Sequence, residues 1–469
     1  MACEKPIPEC GQRIAIIGSQ WPILSALVLS LLAGVVLFLI SGSQVPVYQG
    51  KPVRLWIQDL ASADYQIRDQ AVAAIRAVGP QARPFLIRAL RPQNSLTEAL
   101  SHLSRRASFL HLTTSANADL LREKAAEELG LMAQNDGAAL DALISSLTEK
   151  NPDVLFQVQR ALRRIGPQSV PALVGALQSR RSIIRQRAAE VLIDLGVEAR
   201  AGVPALLLAL QDPEREVRRR AAQAFGRILE ADARIINALK VTLDDPTPAV
   251  RGAAAESLGR IGPNARAAVQ SLHQRLGDSD TGVRIDAARA LWQIEDNTEQ
   301  VVPVLIEALK DGTVGWQVPL VLAAMGPKAG QAVPGLIEAL KRERVSRPLR
   351  SPPSSAFALG QIGPVAVPEL RKILRDERPF VRTSAAIALG FIGSGAHPAV
   401  PALIPLLKDK DLEVRQASAL SLGAIAPQTK ELAPALAELT HDEDIFVSSA
   451  AASALKILTT SSGVLPSPE

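Results

Sequence analysis

The chain has 469 residues, 47% of them hydrophobic but only 3% aromatic, with 21% charged and a formal net charge of +5 at pH 7. The apolar content is therefore nearly all Ala, Leu, Val and Ile, which suits closely packed helices, and a wholly disordered chain is excluded. Two cysteines, Cys3 and Cys10, and five dispersed histidines argue against a disulfide scaffold, a cysteine zinc module and a histidine-rich metal enzyme.

Residues 1–13 read as a short tail. Residues 14–40 carry no charge, and ILSALVLSLLAGVVLFLI at 23–40 is long enough to cross a bilayer, which needs about 20 apolar residues as helix. The segment reads as a transmembrane signal anchor. A cleaved signal peptide competes, because Ser41 and Ser43 place small residues at the offset for cleavage before Gln44. Lys5 and Arg13 precede the span and no charge follows until Lys51, so the positive-inside bias puts the N-terminus in the cytoplasm and the bulk of the chain outside it. Residues 41–51, rich in Ser, Gly and Pro, read as a linker.

Beyond the linker the chain repeats in the form V-R-x-x-A-A-x-A-L-G-x-I-G. Origins fall at Ile67, Leu121, Val154, Ile184, Val217, Val250, Val283, Val314, Ser351, Val381, Val414 and Val447, most of them 33 residues apart, which is a solenoid signal. Apolar residues at the origin, +4, +7, +8 and +11 predict an amphipathic helix, B. It stops at Gly and often Pro, as at Gly79-Pro80 and Gly262-Pro263; Gly takes a left-handed cap conformation and Pro blocks continuation. A second helix, A, follows each stop, as in VPALVGAL at 170–177 and VPALIPLL at 400–407. Each is too short to be stable alone, so stacking supplies the core. Proline recurs near the start of A (Pro171, Pro204, Pro303, Pro334, Pro368, Pro401, Pro434), which argues for one repeated bend.

These segments resemble the HEAT repeats, especially the short variety of phycobilisome-lyase-like proteins. The resemblance covers residues 52–458, about twelve helix pairs, and leaves 459–469 as a disordered tail. It implies an all-α fold, a right-handed α-α superhelix with B helices on the concave side, used mainly to hold other macromolecules. The ladder of that family is visible as arginine after the origin: Arg68, Arg122, Arg185, Arg218, Arg251, Arg284, Arg382 and Arg415. An acid three before the origin (Asp64, Glu214, Asp280, Asp311, Asp411, Asp444) is expected to cap the helix and to pair with that arginine. Leu155, Gly315, Pro352 and Ser448 break the arginine pattern.

A pI near 9.3 invites a nucleic-acid reading. Eight arginines are assigned to the ladder, however, and few aromatics interleave with the densest remaining run, Arg215, Arg218, Arg219, Arg220 and Arg227. Arg219, Arg220 and Arg227 stay as a secondary basic patch for phosphate or an acidic partner. No His-Glu pair exists for a diiron site of the deoxyhypusine hydroxylase kind, and no phosphate-cradling glycine motif or nucleophile elbow occurs. Phycobilisome-type lyases share the repeat without a short diagnostic motif, so a lyase remains an alternative that membrane targeting argues against. No catalytic residue, metal or cofactor is assigned. The reading is a membrane-anchored, non-catalytic scaffold that binds protein partners.

Two places are irregular. The first interval exceeds the period by 21 residues and holds SLTEALSHLSRRASFLHL at 95–112, which predicts an extra helix, either capping the solenoid end or docking a partner. Residues 311–355 carry Gly315, Pro319, Pro348, Pro352 and Pro353, so their B helices should start late or break; a hinge is expected, with shorter rigid repeats as the alternative.

Position +6 of each B helix should face the concave side. It is polar or charged from Glu127 to Arg289, then becomes Leu320, Phe357, Ile387 and Leu420, with Trp316 and Phe391 extending the same side. This apolar row is the candidate site for a protein partner such as an amphipathic helix. The competing reading buries it between B helices as core.

Overall fold

The computed structural model describes residues 45–91, 115–132, 136–311, 315–343, 349–426 and 432–461. The proposed span at 14–40 and the whole of the proposed extra helix at 95–112 fall outside these. A short ribbon, β1 (Val47–Tyr48) and β2 (Lys51–Pro52), precedes the helices. These alternate as A and B. The first unit holds α1 (Val53–Asp59), α2 (Tyr65–Val78), α3 (Arg83–Leu90), α4 (Ser115–Met132), α5 (Gly137–Ser145) and α6 (Pro152–Ile165). The second begins with α7 (Val170–Ala176), α8 (Ser182–Leu195), α9 (Val203–Ala209), α10 (Arg215–Ile228), α11 (Ala233–Thr242), α12 (Pro248–Ile261), α13 (Val269–Arg275) and α14 (Thr281–Glu295). It continues with α15 (Val301–Ala308), α16 (Gln317–Met325), α17 (Val333–Arg342), α18 (Ser354–Ile362), α19 (Val367–Ile373), α20 (Pro379–Ile392), α21 (Val400–Leu403), α22 (Leu412–Ile425), α23 (Ala433–Leu439) and α24 (Ile445–Ser461). Odd numbers are A helices and even numbers B.

The chain divides into two compact units, Met1–Ile165 and Gly166–Glu469, where the periodicity suggested one unbroken array. The division follows α6, the B helix in which Leu155 stands in the arginine position. At the C-terminus α24 runs on to Ser461, three residues into the expected tail. No Gly or Pro interrupts the sequence before Gly463, and a helix that meets no stop signal continues.

Within a repeat the expected periodicity decides burial. In α12, Val250, Ala254, Leu258 and Ile261 are at most 8% exposed. The glycine at +9 sets how closely one B helix meets the next. A Cβ on Gly259 would stand 2.8 Å from Ala290 Cα, and one on Gly226 would stand 2.9 Å from Ser257 Cα. Real side chains do not tolerate such distances, so these glycines are what lets the B helices stack.

The glycine at +12 does something other than the left-handed cap expected. Gly262 has φ 72° and ψ −145°, a region essentially closed to residues with a Cβ. It turns the chain straight into a 3-10 segment, Gly262–Ala268, that runs into α13. Leu229 and Asp296 do take the left-handed conformation (φ 55°, ψ 31° and φ 56°, ψ 22°), and there no 3-10 segment follows. The recurrent proline sits at the second residue of α7, α9, α17, α19, α21 and α23, where its missing N–H costs nothing. The repeated bend is thus the join between 3-10 and α-helix, not a kink within A.

Two continuous helical runs, Gln317–Arg342 and Pro379–Lys408, are long and apolar enough to cross a membrane by length and composition. Each is a B helix running into the next A helix, and core-facing residues such as Leu322, Leu336, Leu389 and Leu403 account for its apolarity.

Both α16 and α18 are nine residues long and start late, after Gly315 and after Pro352-Pro353. Residues 344–348 of the proposed hinge lie outside the described residues, but its flanks are tied: Glu343 Oε1, at the end of α17, accepts from the Ser355 amide at 3.1 Å and from the Ser354 hydroxyl at 3.3 Å.

Residues 45–51, read as linker, are ordered against α1. Gln49 and Gly50 both have positive φ, 49° and 74°, as a tight hairpin turn requires. Trp56 Nε1 donates to Tyr48 O at 3.2 Å, and the Lys51 ammonium lies 4.1 Å above the Trp56 ring while pairing with Asp59.

Candidate functional site

The arginine ladder works across repeats. Arg185, Arg218, Arg251, Arg382 and Arg415 each fork onto the carboxylate 27 residues later, Asp212, Asp245, Asp278, Asp409 and Asp442, at 2.6–3.1 Å. Each also donates at 2.9–3.0 Å to the carbonyl six residues before it. Arg122 reaches Glu149 at the same spacing, and Asp119. Arg68 is held by the Ser62 and Ala63 carbonyls. Arg284 donates to the Thr281 hydroxyl, which in turn donates to Asp311.

This corrects the expected pairing. The acids three before the origin cap their own helix, as Asp64, Asp280, Asp411 and Asp444 do through backbone amides, while Glu214 makes no capping bond. The arginine leans back over the loop before its helix, where the next repeat's loop presents an aspartate already fixed by the amide two residues on, as Asp278 is by Asp280 at 3.0 Å. Burial pushes the Asp278 carboxyl up, but the Arg251 guanidinium and the Asp280 amide outweigh it and hold the group below the usual carboxylate range.

The B-helix face carries the candidate site. In the first unit Ala73 and Arg160 are exposed, and Glu127 is half-buried and held ionised mainly by Lys124. In the second unit the charged positions pair with side chains outside the row: Glu190 with Arg220 at 3.3 Å, Glu256 with Arg260 at 2.9 Å, and Arg289 with Asp286. The row then turns apolar, and most of it stays in solvent. Trp316 is 64% exposed, Leu320 and Leu420 41%, Phe391 43% and Phe357 36%. Phe357 and Phe391 meet edge to face, with ring centroids 5.8 Å apart at 84°, a geometry their quadrupoles favour. Ile387 departs from the row at 8% exposure. It lies one turn before Phe391 on the same helix and belongs to the core.

Two of the three arginines of the proposed basic patch have carboxylate partners. Arg219 is paired with Glu216 at 2.7 Å, Arg220 with Glu190, and Arg218 with Asp245, leaving Arg215 and Arg227 exposed in that run. Carboxylates on the same B helix, on the adjacent one and in the next repeat's loop neutralise what the sequence shows as a run of like charge. Among the described residues no three His, Cys, Asp or Glu side chains are grouped to hold a metal.

At the N-terminal end of the apolar row lies a cleft that the pattern did not indicate. It has a volume of about 460 Å³ and is formed by α12, α14 and α16, with Glu256, Asp286, Arg289, Trp292, Trp316 and Leu320 in its walls. Gly315, in the left-handed region at φ 47°, delivers Trp316 to its rim. Gly252 makes room for Asp286, whose Oδ2 lies 2.8 Å from where a Cβ would stand. Burial pushes the Asp286 carboxyl up to about 6, with Glu256 and Asp280 adding to the effect and Arg289 opposing it.

Comparison with known proteins agrees with this architecture. The chain is similar to importin beta in its crystal structure, with 16% identity over 88% of this chain and 56% of that one, at a TM-score of 0.54. It is less similar to Kap121p, with 15% identity over 87% of this chain and 49% of that one, at a TM-score of 0.47. It spans about half the length of these solved proteins, and the likeness to importin beta is one of fold. No curated protein matches the sequence. The PBS lyase HEAT-like repeat matches residues 283–311. The HEAT repeats family matches residues 107–193, 203–292 and 393–456, just over half of the sequence, and the chain belongs to that family.

Proposed function

We propose that the chain is a membrane-anchored, non-catalytic scaffold. Residues 14–40 hold it in the bilayer with the solenoid on the non-cytoplasmic side, and the B-helix face of the second unit binds a protein partner. The observation that carries the binding reading is the row of Trp316, Leu320, Phe357, Phe391 and Leu420, all at least 36% exposed on successive B helices. Large apolar side chains exposed on successive helices of one face, two of them in ring contact, mark an interaction site. The anchor reading rests on the uncharged run at 14–40. Five ladder arginines are committed to aspartates of the next repeat and are not free to contact a phosphate backbone.

The test is the full chain carrying Phe357→Asp and Leu420→Asp together. Capture of protein partners from detergent extract should be lost, with the melting temperature within about 2 °C of the parent, since partly exposed positions tolerate polar groups. Unchanged capture refutes the face, and a fall of 8 °C or more shows these side chains to be core. For the anchor, alkaline carbonate should leave the full chain in the membrane pellet and release a chain lacking residues 1–43. A mature N-terminus at Gln44 would show cleavage instead.

A further inference from the structure

The apolar row is not symmetric end to end, and its asymmetry specifies the chemistry of what lies on it. Trp316 and Leu320 belong both to the row and to the cleft between α12, α14 and α16. The cleft adds two carboxylates, Glu256 and Asp286, and one cation, Arg289, to two indole rings, Trp292 and Trp316. Arg260, which pairs with Glu256, is not in its walls. Asp286 is seated over the backbone of α12 where Gly252 leaves space, so its position is built in. Burial is the main cause of its raised protonation tendency, with Arg289 opposing and Glu256 and Asp280 adding to it, and within the walls the two carboxylates outnumber the one guanidinium. A carboxylate pair beside an exposed indole is suited to an ammonium or guanidinium group, which gains both Coulombic and cation-π attraction there.

We propose that the partner segment is an amphipathic helix with a basic end: its apolar side lies along Leu320, Phe357, Phe391 and Leu420, and a Lys or Arg at one end enters the cleft between Glu256, Asp286 and Trp316. This rests on the scaffold reading above and adds to it a charge at a defined place and hence a direction for the bound segment.

The experiment titrates the full chain in detergent with synthetic 18-residue helical peptides that share one Leu/Phe face and carry two Lys, two Gln or two Glu at one end, in both orientations. Quenching of Trp fluorescence by a nitroxide beside the variable end is the readout, and the Glu256→Gln/Asp286→Asn chain in the same detergent cancels peptide uptake by micelles. The Lys-ended peptide should bind at least tenfold more tightly than the Glu-ended one in one orientation, and that ratio should fall below threefold in the double variant. Trp316→Ala, at a side chain that is 64% exposed, should weaken the Lys-ended peptide at least fivefold and serves if the double variant does not fold. Equal binding of Lys-ended and Glu-ended peptides, with both lost in Phe357→Asp, overturns the cleft and leaves the face standing. No binding of any peptide overturns both. A ratio unchanged in the variants, or spermidine binding as tightly as the Lys-ended peptide, also overturns the proposal.

Discussion

Replacing Asp278 by Ala would remove one carboxylate from the middle of the second unit and leave Arg251 without its forked partner. The two side chains are 3% and 11% exposed, and the fork is 2.6 and 2.8 Å long. Breaking a buried pair from one side costs about 3–5 kcal/mol, because the surviving charge remains desolvated. Arg251 keeps the Asp245 and Pro246 carbonyls at 2.9 and 3.4 Å, so the lower end, about 3 kcal/mol, is expected. In a stack stabilised by nearest neighbours the loss falls on one joint, so urea unfolding followed by circular dichroism should become less cooperative. Hydrogen exchange should accelerate first in α11 to α14. Adding Arg251→Met removes the stranded charge and should restore at least half of the loss. The Asp278 carboxyl is held below its ordinary value, so its contribution is present above about pH 4 and disappears as pH falls through the lowered folded-state value. Parent and variant should converge once pH is below that lowered value. A cost below about 1 kcal/mol, or a double variant no more stable than the single, would refute the reasoning.

Asp286 predicts the opposite pH dependence. Its folded value of about 6 lies above the usual 3.8, so the native state binds the extra proton and the parent loses stability as pH rises from about 4 to about 6. The loss is at most about 3 kcal/mol; Asp286→Asn should abolish that slope, as urea midpoints at pH 4.5 and 7 would show. Gly259→Ala should cost about 2 kcal/mol through the overlap with Ala290, whereas a change within 0.5 kcal/mol would mean the B helices move apart freely. Leu229→Gly should raise stability by about 1 kcal/mol, since Leu229 is 51% exposed and held at φ 55°; a lower melting temperature would count against it.

Much of this protein is determined locally. The period near 33 residues, the glycine stops and the apolar positions of each B helix are properties of short segments, and helix periodicity reports them without any tertiary contact. The late starts of α16 and α18 were likewise legible in Gly315, Pro352 and Pro353. For six of the eight ladder arginines the direct partner was written in the sequence too, as an acid 27 residues on, but the acid nearer in the chain was the one expected to pair. Only the stacking of one repeat on the next decides which carboxylate a guanidinium meets. The same holds for the exposure of Leu320, Phe357 and Leu420 against the burial of Ile387 at the same repeat position. Position +6 states which way a side chain points, whereas how much water reaches it depends on the distance and size of its neighbours. The cleft at Trp316 combines residues from three repeats, Glu256, Asp286 and Trp316; of these only Trp316 stood out in the sequence, and nothing there joined it to the two carboxylates. Side chains 30 residues apart in sequence become a site because glycines such as Gly252 and Gly259 let successive B helices approach, and that approach is a property of the stack alone.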